Sequence, residues 1–122
     1  LEVEALSGAP GIHSARWAGN DTANNYRLLR EMEGVANRSA RYVCVIALVR
    51  AQSLLATFRG EVKGEILPFP RGEGGFGYDP YFYYPPLNQS FAEISKERKA
   101  SVSHRGAAIA QLCEWLRKSV SR

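Results

Sequence analysis

The densest group of chemistry-bearing residues is Gly72-Glu73-Gly74-Gly75-Phe76-Gly77-Tyr78-Asp79-Pro80, which sets four glycines around two aromatic rings and the carboxylate of Asp79. Glycines let backbone approach a ligand closely, an aromatic ring offers a stacking face, and Asp79 can accept hydrogen bonds from a ring N–H. That combination suits a nucleobase, although a glycine-rich stretch is also what an ordinary surface turn is made of. The second group is Ser103-His104-Arg105-Gly106, with Lys99 four residues ahead of Ser103. Ser103 is a helix N-cap, which puts His104 and Arg105 in the first turn, where the helix dipole favours acceptors and anions. Two cations there gain nothing from the helix, so their expected counterpart is a ligand or a carboxylate. A solvated helix start, with His104 as a satisfied core histidine, is the other reading.

Three further groups have plainer readings. Pro10 and Gly11 make a rigid entry to Ile12-His13-Ser14-Ala15-Arg16-Trp17, where Arg16 and Trp17 suit an ion pair and an apolar contact, and His13 is a loop histidine. Glu2 and Glu4 share one face of a strand, but a single face at a strand end is a poor cage for an octahedral cation. Cys44 and Cys113 each fall inside an apolar pattern that suits a small buried thiol, without C-x-x-C spacing, so a reducing, cytoplasmic setting is expected and no metal site is read.

Positioning these groups requires a set of short elements. Leu1 to Ala5 alternates as a strand and runs into the breakers Ser7 to Gly11. A helix of about three turns follows, capped by Asp21 or Thr22, with Tyr26, Leu28, Leu29 and Met32 at helical spacing and Gly34 beyond its end. Arg41 to Ala51 and Leu54 to Val62 read as two strands of an antiparallel hairpin, with bends or bulges at Gly60 and Gly64. Tyr81 to Tyr84 is a short aromatic strand, and Pro85 to Gln89 is a turn. Ser95 can cap a short helix over Lys96 to Lys99. The last helix starts after Ser103 and carries Ile109, Leu112, Cys113 and Leu116 on its apolar face, with Ala108 and Trp115 nearby. Strands interleaved with helices make an α/β chain.

Composition narrows the function classes. The chain has 122 residues, 16 Lys+Arg against 12 Asp+Glu for a net charge of +4, and 45% hydrophobic residues. That is one domain or part of one, with the balance of a soluble globular protein rather than a disordered chain. The longest apolar run, Tyr42 to Val49, is far short of the roughly 20 residues of a membrane-spanning helix. The basic surplus is dispersed through Arg27, Arg30, Arg38, Arg41 and the Lys96 to Arg105 region, a solvated face rather than a stripe for nucleic acid. Leu1 follows no basic or apolar leader, so no signal peptide is expected, and the opening looks trimmed.

Taken together, Leu1 to Leu6 with Gly8 to Gly11, Ser14 to Gly19, Gly74 to Pro80, and Lys99 with Ser103 to Gly106 resemble the inosine triphosphate pyrophosphatases, the family that hydrolyses non-canonical purine nucleoside triphosphates. The resemblance implies a mixed, elongated β-sheet flanked by helices, truncated at its N-terminus, with residues 1–122 forming a single partial domain for base recognition and dimerisation. It implies hydrolysis of ITP, dITP and XTP to the monophosphate and pyrophosphate, with Phe76 stacking on the base and Gly77, Tyr78 and Asp79 shaping its pocket. Lys99 would meet the nucleotide, while His104 and Arg105 would read the purine 6-oxo group. Both offer donors, which welcome an oxo acceptor and not the 6-amino donor of adenine. The family's Ser/Thr-Gly-Asn-x-x-Lys phosphate loop has no counterpart in this sequence, and its Asp-Ser-Gly would directly precede Leu1. That aspartate and a glutamate farther upstream hold Mg²⁺ and activate water in the family, so catalytic and metal-binding groups are expected upstream of Leu1. A homodimer in the cytoplasm, with no nucleic acid or membrane partner, completes what the resemblance implies. The alternative is an inactive fragment or a non-catalytic module that binds a purine nucleotide or a partner.

Overall fold

The computed structural model describes residues 1–120. In chain order it comprises β1 (Glu2–Val3), α1 (Asp21–Glu31), β2 (Ser39–Arg50), β3 (Ser53–Ile66), β4 (Phe82–Tyr84), β5 (Gln89–Ser90), α2 (Lys96–Val102) and α3 (His104–Val120). The five strands lie in one sheet in their chain order. Glu2 stands opposite Arg41, Ile66 opposite Phe82 and Tyr83 opposite Ser90, each in an antiparallel pair. Two compact units divide the chain, one of Leu1–Arg41 with Lys63–Lys96, the other of Tyr42–Val62 with the residues from Glu97 onward.

In the first unit the core gathers Val3, Leu28, Met32, Ile66, Phe82 and Phe91, each essentially buried. Phe91 packs edge-on against Phe82 at 4.9 Å and Tyr84 at 5.9 Å. Burying an aromatic or aliphatic side chain of this size contributes roughly 1.5–3 kcal/mol, which explains why strands of two or three residues persist here. Strand β1 is shorter than its alternation suggests, because Glu4–Leu6 closes into a 3₁₀ turn; Glu4 therefore does not share a strand face with Glu2. The cap of α1 is Asn20, whose side chain accepts from the Ala23 amide, rather than Asp21 or Thr22. Its buried stripe is Asn24, Leu28 and Met32, and Tyr26 is 63% exposed. Asn24 belongs inside because it is fully used: it accepts from the Ala18 amide and donates to the Ser14 and Ala15 carbonyls, tying down the 10–19 loop.

In the second unit Ala51 and Gln52 both adopt left-handed backbone, at φ 49° and 67°, and form the two-residue turn expected of a tight hairpin. Gly60 and Gly64 correct the sequence reading, since β3 runs unbroken through both. A Cβ on Gly60 would lie 2.1 Å from the His104 carbonyl oxygen and 2.6 Å from the Ala108 nitrogen. The glycine is there because the start of α3 lies on the strand. That close approach also selects which face of α3 turns inward. Ala108 is buried and Trp115 meets Phe58 edge-on at 6.2 Å, whereas Ile109, Cys113 and Leu116 are exposed. The buried Cys113 expected from the apolar pattern is thus an exposed free thiol, and Cys44, also free, is half-buried. Helix α2 extends to Val102, three residues beyond the expected Lys99.

Candidate functional site

The glycine-rich loop of the first unit turns one aromatic ring outward and the other inward. Phe76 is 60% exposed, while Tyr78 and Asp79 are buried. The Asp79 carboxylate accepts from the Phe76 amide at 3.0 Å and packs beneath Gly75, whose absent Cβ would lie 2.3 Å from it. Residue type suggested that this acid would face a ring N–H. Its Oδ2 is used within the loop, because a run of glycines leaves backbone amides that need acceptors. The Tyr78 hydroxyl donates to the Ser14 carbonyl at 2.5 Å. Burial, reinforced by the negative charge of Asp21 and opposed by the guanidinium of Arg27, pushes its pKa up to about 12.

Helix α1 holds the same loop from the other side. The Gly77 amide donates to the Asp21 carboxylate at 3.2 Å, and the Asn25 side-chain amide donates to the Gly77 carbonyl at 3.0 Å. Both peptide groups of Gly77, which sits in the left-handed region at φ 61°, are therefore bonded to side chains one helical turn apart. Capping by Asn20 leaves the Asp21 carboxylate available for this contact. The sequence offers Asp21 only as a helix cap and gives no sign of Asn25, because nothing local signals that a helix surface will meet a loop more than 50 residues away. Trp17 lies beneath the guanidinium of Arg27 at 4.3 Å, and Arg27 donates to its carbonyl, so the apolar contact foreseen for Trp17 is a cation–π one.

The second unit builds the other candidate group at the junction of α2 and α3. Ser103 Oγ accepts from the Gly106 amide at 3.0 Å, the expected cap, and the Ser103 amide donates to the Lys99 carbonyl at 2.8 Å. A Cβ on Gly106 would lie 1.9 Å from the Ala100 carbonyl oxygen, so only glycine lets α2 close onto the first turn of α3. The His104 ring stacks on Tyr42 with centroids 4.9 Å apart and planes 17° from parallel. That contact fixes the plane of the imidazole. Arg105 is exposed, and Lys99 is half-buried. A rigid imidazole beside a guanidinium is a set of donors for an oxygen acceptor or an anion.

An open groove of about 690 Å³ in the first unit includes Glu2, Glu4, Arg41 and Lys63. Glu2 is paired with Arg41, whose Nε and Nη2 both lie 2.8 Å from the same carboxylate oxygen. Among the described residues no three His, Cys, Asp or Glu side chains come together as a metal donor set.

The sequence profile of the Ham1 family matches residues 1–115. The chain is 51% identical over 115 residues to a dITP/XTP pyrophosphatase of Syntrophobacter fumaroxidans, covering 92% of this chain and 50% of that protein. It is 50% identical over 123 residues to the dITP/XTP pyrophosphatase of Desulforamulus reducens, covering 97% and 61% respectively. The chain thus spans between half and three fifths of the length of these relatives. The solved Ham1 protein of Staphylococcus aureus superposes with a TM-score of 0.93 at 45% identity, over 97% of this chain and 63% of that one. A Ham1 protein of Coxiella burnetii gives 0.91 at 38% identity, over 96% and 63%.

Proposed function

Because the chain belongs to the Ham1 family, we propose that it carries the purine-recognising residues of a pyrophosphatase that acts on dITP, ITP and XTP. In this reading water attacks between the α and β phosphates, yielding a monophosphate and pyrophosphate. Phe76 stacks on the base, while Gly77, Tyr78 and Asp79 hold the loop in the shape that presents it. His104 and Arg105 donate toward the 6-oxo group, and Lys99 meets the nucleotide. The observation that carries the reading is the contrast within the loop: Phe76 is exposed while its neighbours Tyr78 and Asp79 are buried. An exposed aromatic ring on an otherwise bonded loop suits a planar ligand.

Mg²⁺ supplies charge neutralisation and an activated water in such a reaction. Among the described residues no set of three such donors forms, and in this reading the metal and the catalytic carboxylates belong to groups outside these 122 residues. A cytoplasmic setting and a homodimer belong to the same proposal. The exposed Val45, Val49, Leu54 and Leu55 of the hairpin, together with Ile109 and Leu116 of α3, support a second copy as the partner. Among the described residues no helix is long and apolar enough to cross a membrane.

The test is equilibrium binding of ITP, dITP, XTP and ATP to the 122-residue chain, with pyrophosphate release measured in Mg²⁺. Preference for the oxo purines without turnover is the expected result. Equal affinity for ATP would overturn the base-reading assignment. Turnover by the purified chain would overturn the placement of the metal site outside it.

A further inference from the structure

We propose that Asp21 and Asn25 of α1 are positioning residues that set the pose of Phe76 for base stacking. The inference rests on the stacking role proposed above for Phe76 and extends it to two residues that never touch the base.

Gly77 follows Phe76 directly, and its two peptide groups decide which way the Phe76 ring leaves the loop. Asp21 accepts from the N–H of one, and Asn25 donates to the C=O of the other. A glycine with free ends explores left- and right-handed backbone about equally, so an unheld Gly77 would let the preceding residue swing. The clamp removes that freedom before a ligand arrives, and binding then costs less ordering entropy. The helix that carries the clamp is itself fixed, since the buried Asn24 between Asp21 and Asn25 makes three hydrogen bonds to the 14–18 backbone. On the far side of Phe76, its own amide is held by Asp79. Every bond in this arrangement ends on backbone and none reaches an edge of a base. The effect on affinity must therefore be the same for oxo and amino purines.

The experiment uses the 122-residue chain and two readouts. The first needs no nucleotide: in Asp21→Ala with Asn25→Ala, the Gly77 amide should exchange with solvent roughly tenfold faster, the loss of about one hydrogen bond. Amides of the β2–β3 hairpin, unchanged, report that the chain is folded. The second is affinity for ITP and ATP. The paired substitution should weaken both by roughly five- to tenfold, and Asp21→Asn, which still offers an acceptor oxygen, should recover most of the Asp21→Ala loss. In a Phe76→Ala background the paired substitution should change affinity less than about twofold, the signature of acting through that ring. Unchanged Gly77 exchange would overturn the clamp. Full additivity with Phe76→Ala, or a loss confined to one purine, would overturn its action through stacking. If the unmodified chain binds no purine nucleotide while Gly77 exchange accelerates as expected, the functional reading fails and takes the positioning role with it, leaving only a structural contact. Should the paired variant unfold, Asn25→Ala alone carries the same comparisons.

Discussion

The glycine-rich loop of the first unit and the α2–α3 junction of the second present their candidate side chains by opposite means. In the loop, side chains reach out to hold backbone: Asp79 takes the Phe76 amide, Asp21 the Gly77 amide and Asn25 the Gly77 carbonyl. At the junction, backbone meets backbone where side chains are missing, with the Ala100 carbonyl over Gly106 and the His104 carbonyl over Gly60. A polar clamp can be weakened one bond at a time, each contributing roughly 0.5–1.5 kcal/mol. A steric fit has no such gradation, because an added methyl must displace something.

The largest effect should come from breaking that fit. Gly106→Ala is expected to destabilise the chain by about 3 kcal/mol in urea denaturation, far more than loss of any single loop hydrogen bond. A cost below 1 kcal/mol would mean that the two helices separate easily and that the contrast between the regions is false. Next comes alkali, which probes the loop. Tyr78 has a folded pKa of about 12 against an ordinary value of 10, so its contribution is fully present below pH 10 and disappears as pH rises from 10 toward 12. The expected loss is about 2 kcal/mol, and Tyr78→Phe should flatten that part of the pH–stability curve. Retention of the alkaline loss in Tyr78→Phe would assign it to another group.

Ligand binding separates the two regions further. If Arg105 reads the base as proposed, Arg105→Ala should cut the preference for ITP over ATP by roughly 5- to 100-fold, since a charged hydrogen bond to a 6-oxo group contributes about 1–3 kcal/mol and ATP has no such acceptor. Phe76→Ala should weaken both nucleotides together, because stacking does not sense the 6-substituent. If Arg105→Ala lowered both equally, Arg105 would be a phosphate or structural residue. The smallest effect belongs to the outward stripe of α3. Ile109→Glu should change the chain's stability by less than about 0.5 kcal/mol, since Ile109 is 51% exposed. In sedimentation it should nonetheless reduce self-association, and an unaltered dimer would remove that face from the proposed interface.

Local chemistry made much of this protein legible in the sequence. The hairpin, the three helices, the Ser103 cap and the breaker-rich loops all follow from periodicity, capping and turn residues, which act within a few positions of themselves. Both candidate groups were visible for the same reason: unusual residue types crowd into nine positions in one case and four in the other. The misreadings have a common form. Gly60 reads as a bend, and Ile109 with Cys113 as the inward face of α3.

Each of these depends on what lies across from the residue, and a strand glycine that bends looks the same in sequence as one that admits a helix. Two apolar stripes on one helix are likewise equivalent until a neighbour chooses between them, and here the tight approach at Gly60 chose Ala108. The pairing of Asp21 and Asn25 with Gly77 spans more than 50 residues and leaves no periodic trace. Sequence alone determined the elements and the chemistry on offer, because propensity and capping are short-ranged. Only the tertiary structure decided which groups face outward and which are consumed in holding the backbone, because burial and hydrogen-bond satisfaction are settled between segments far apart in the chain.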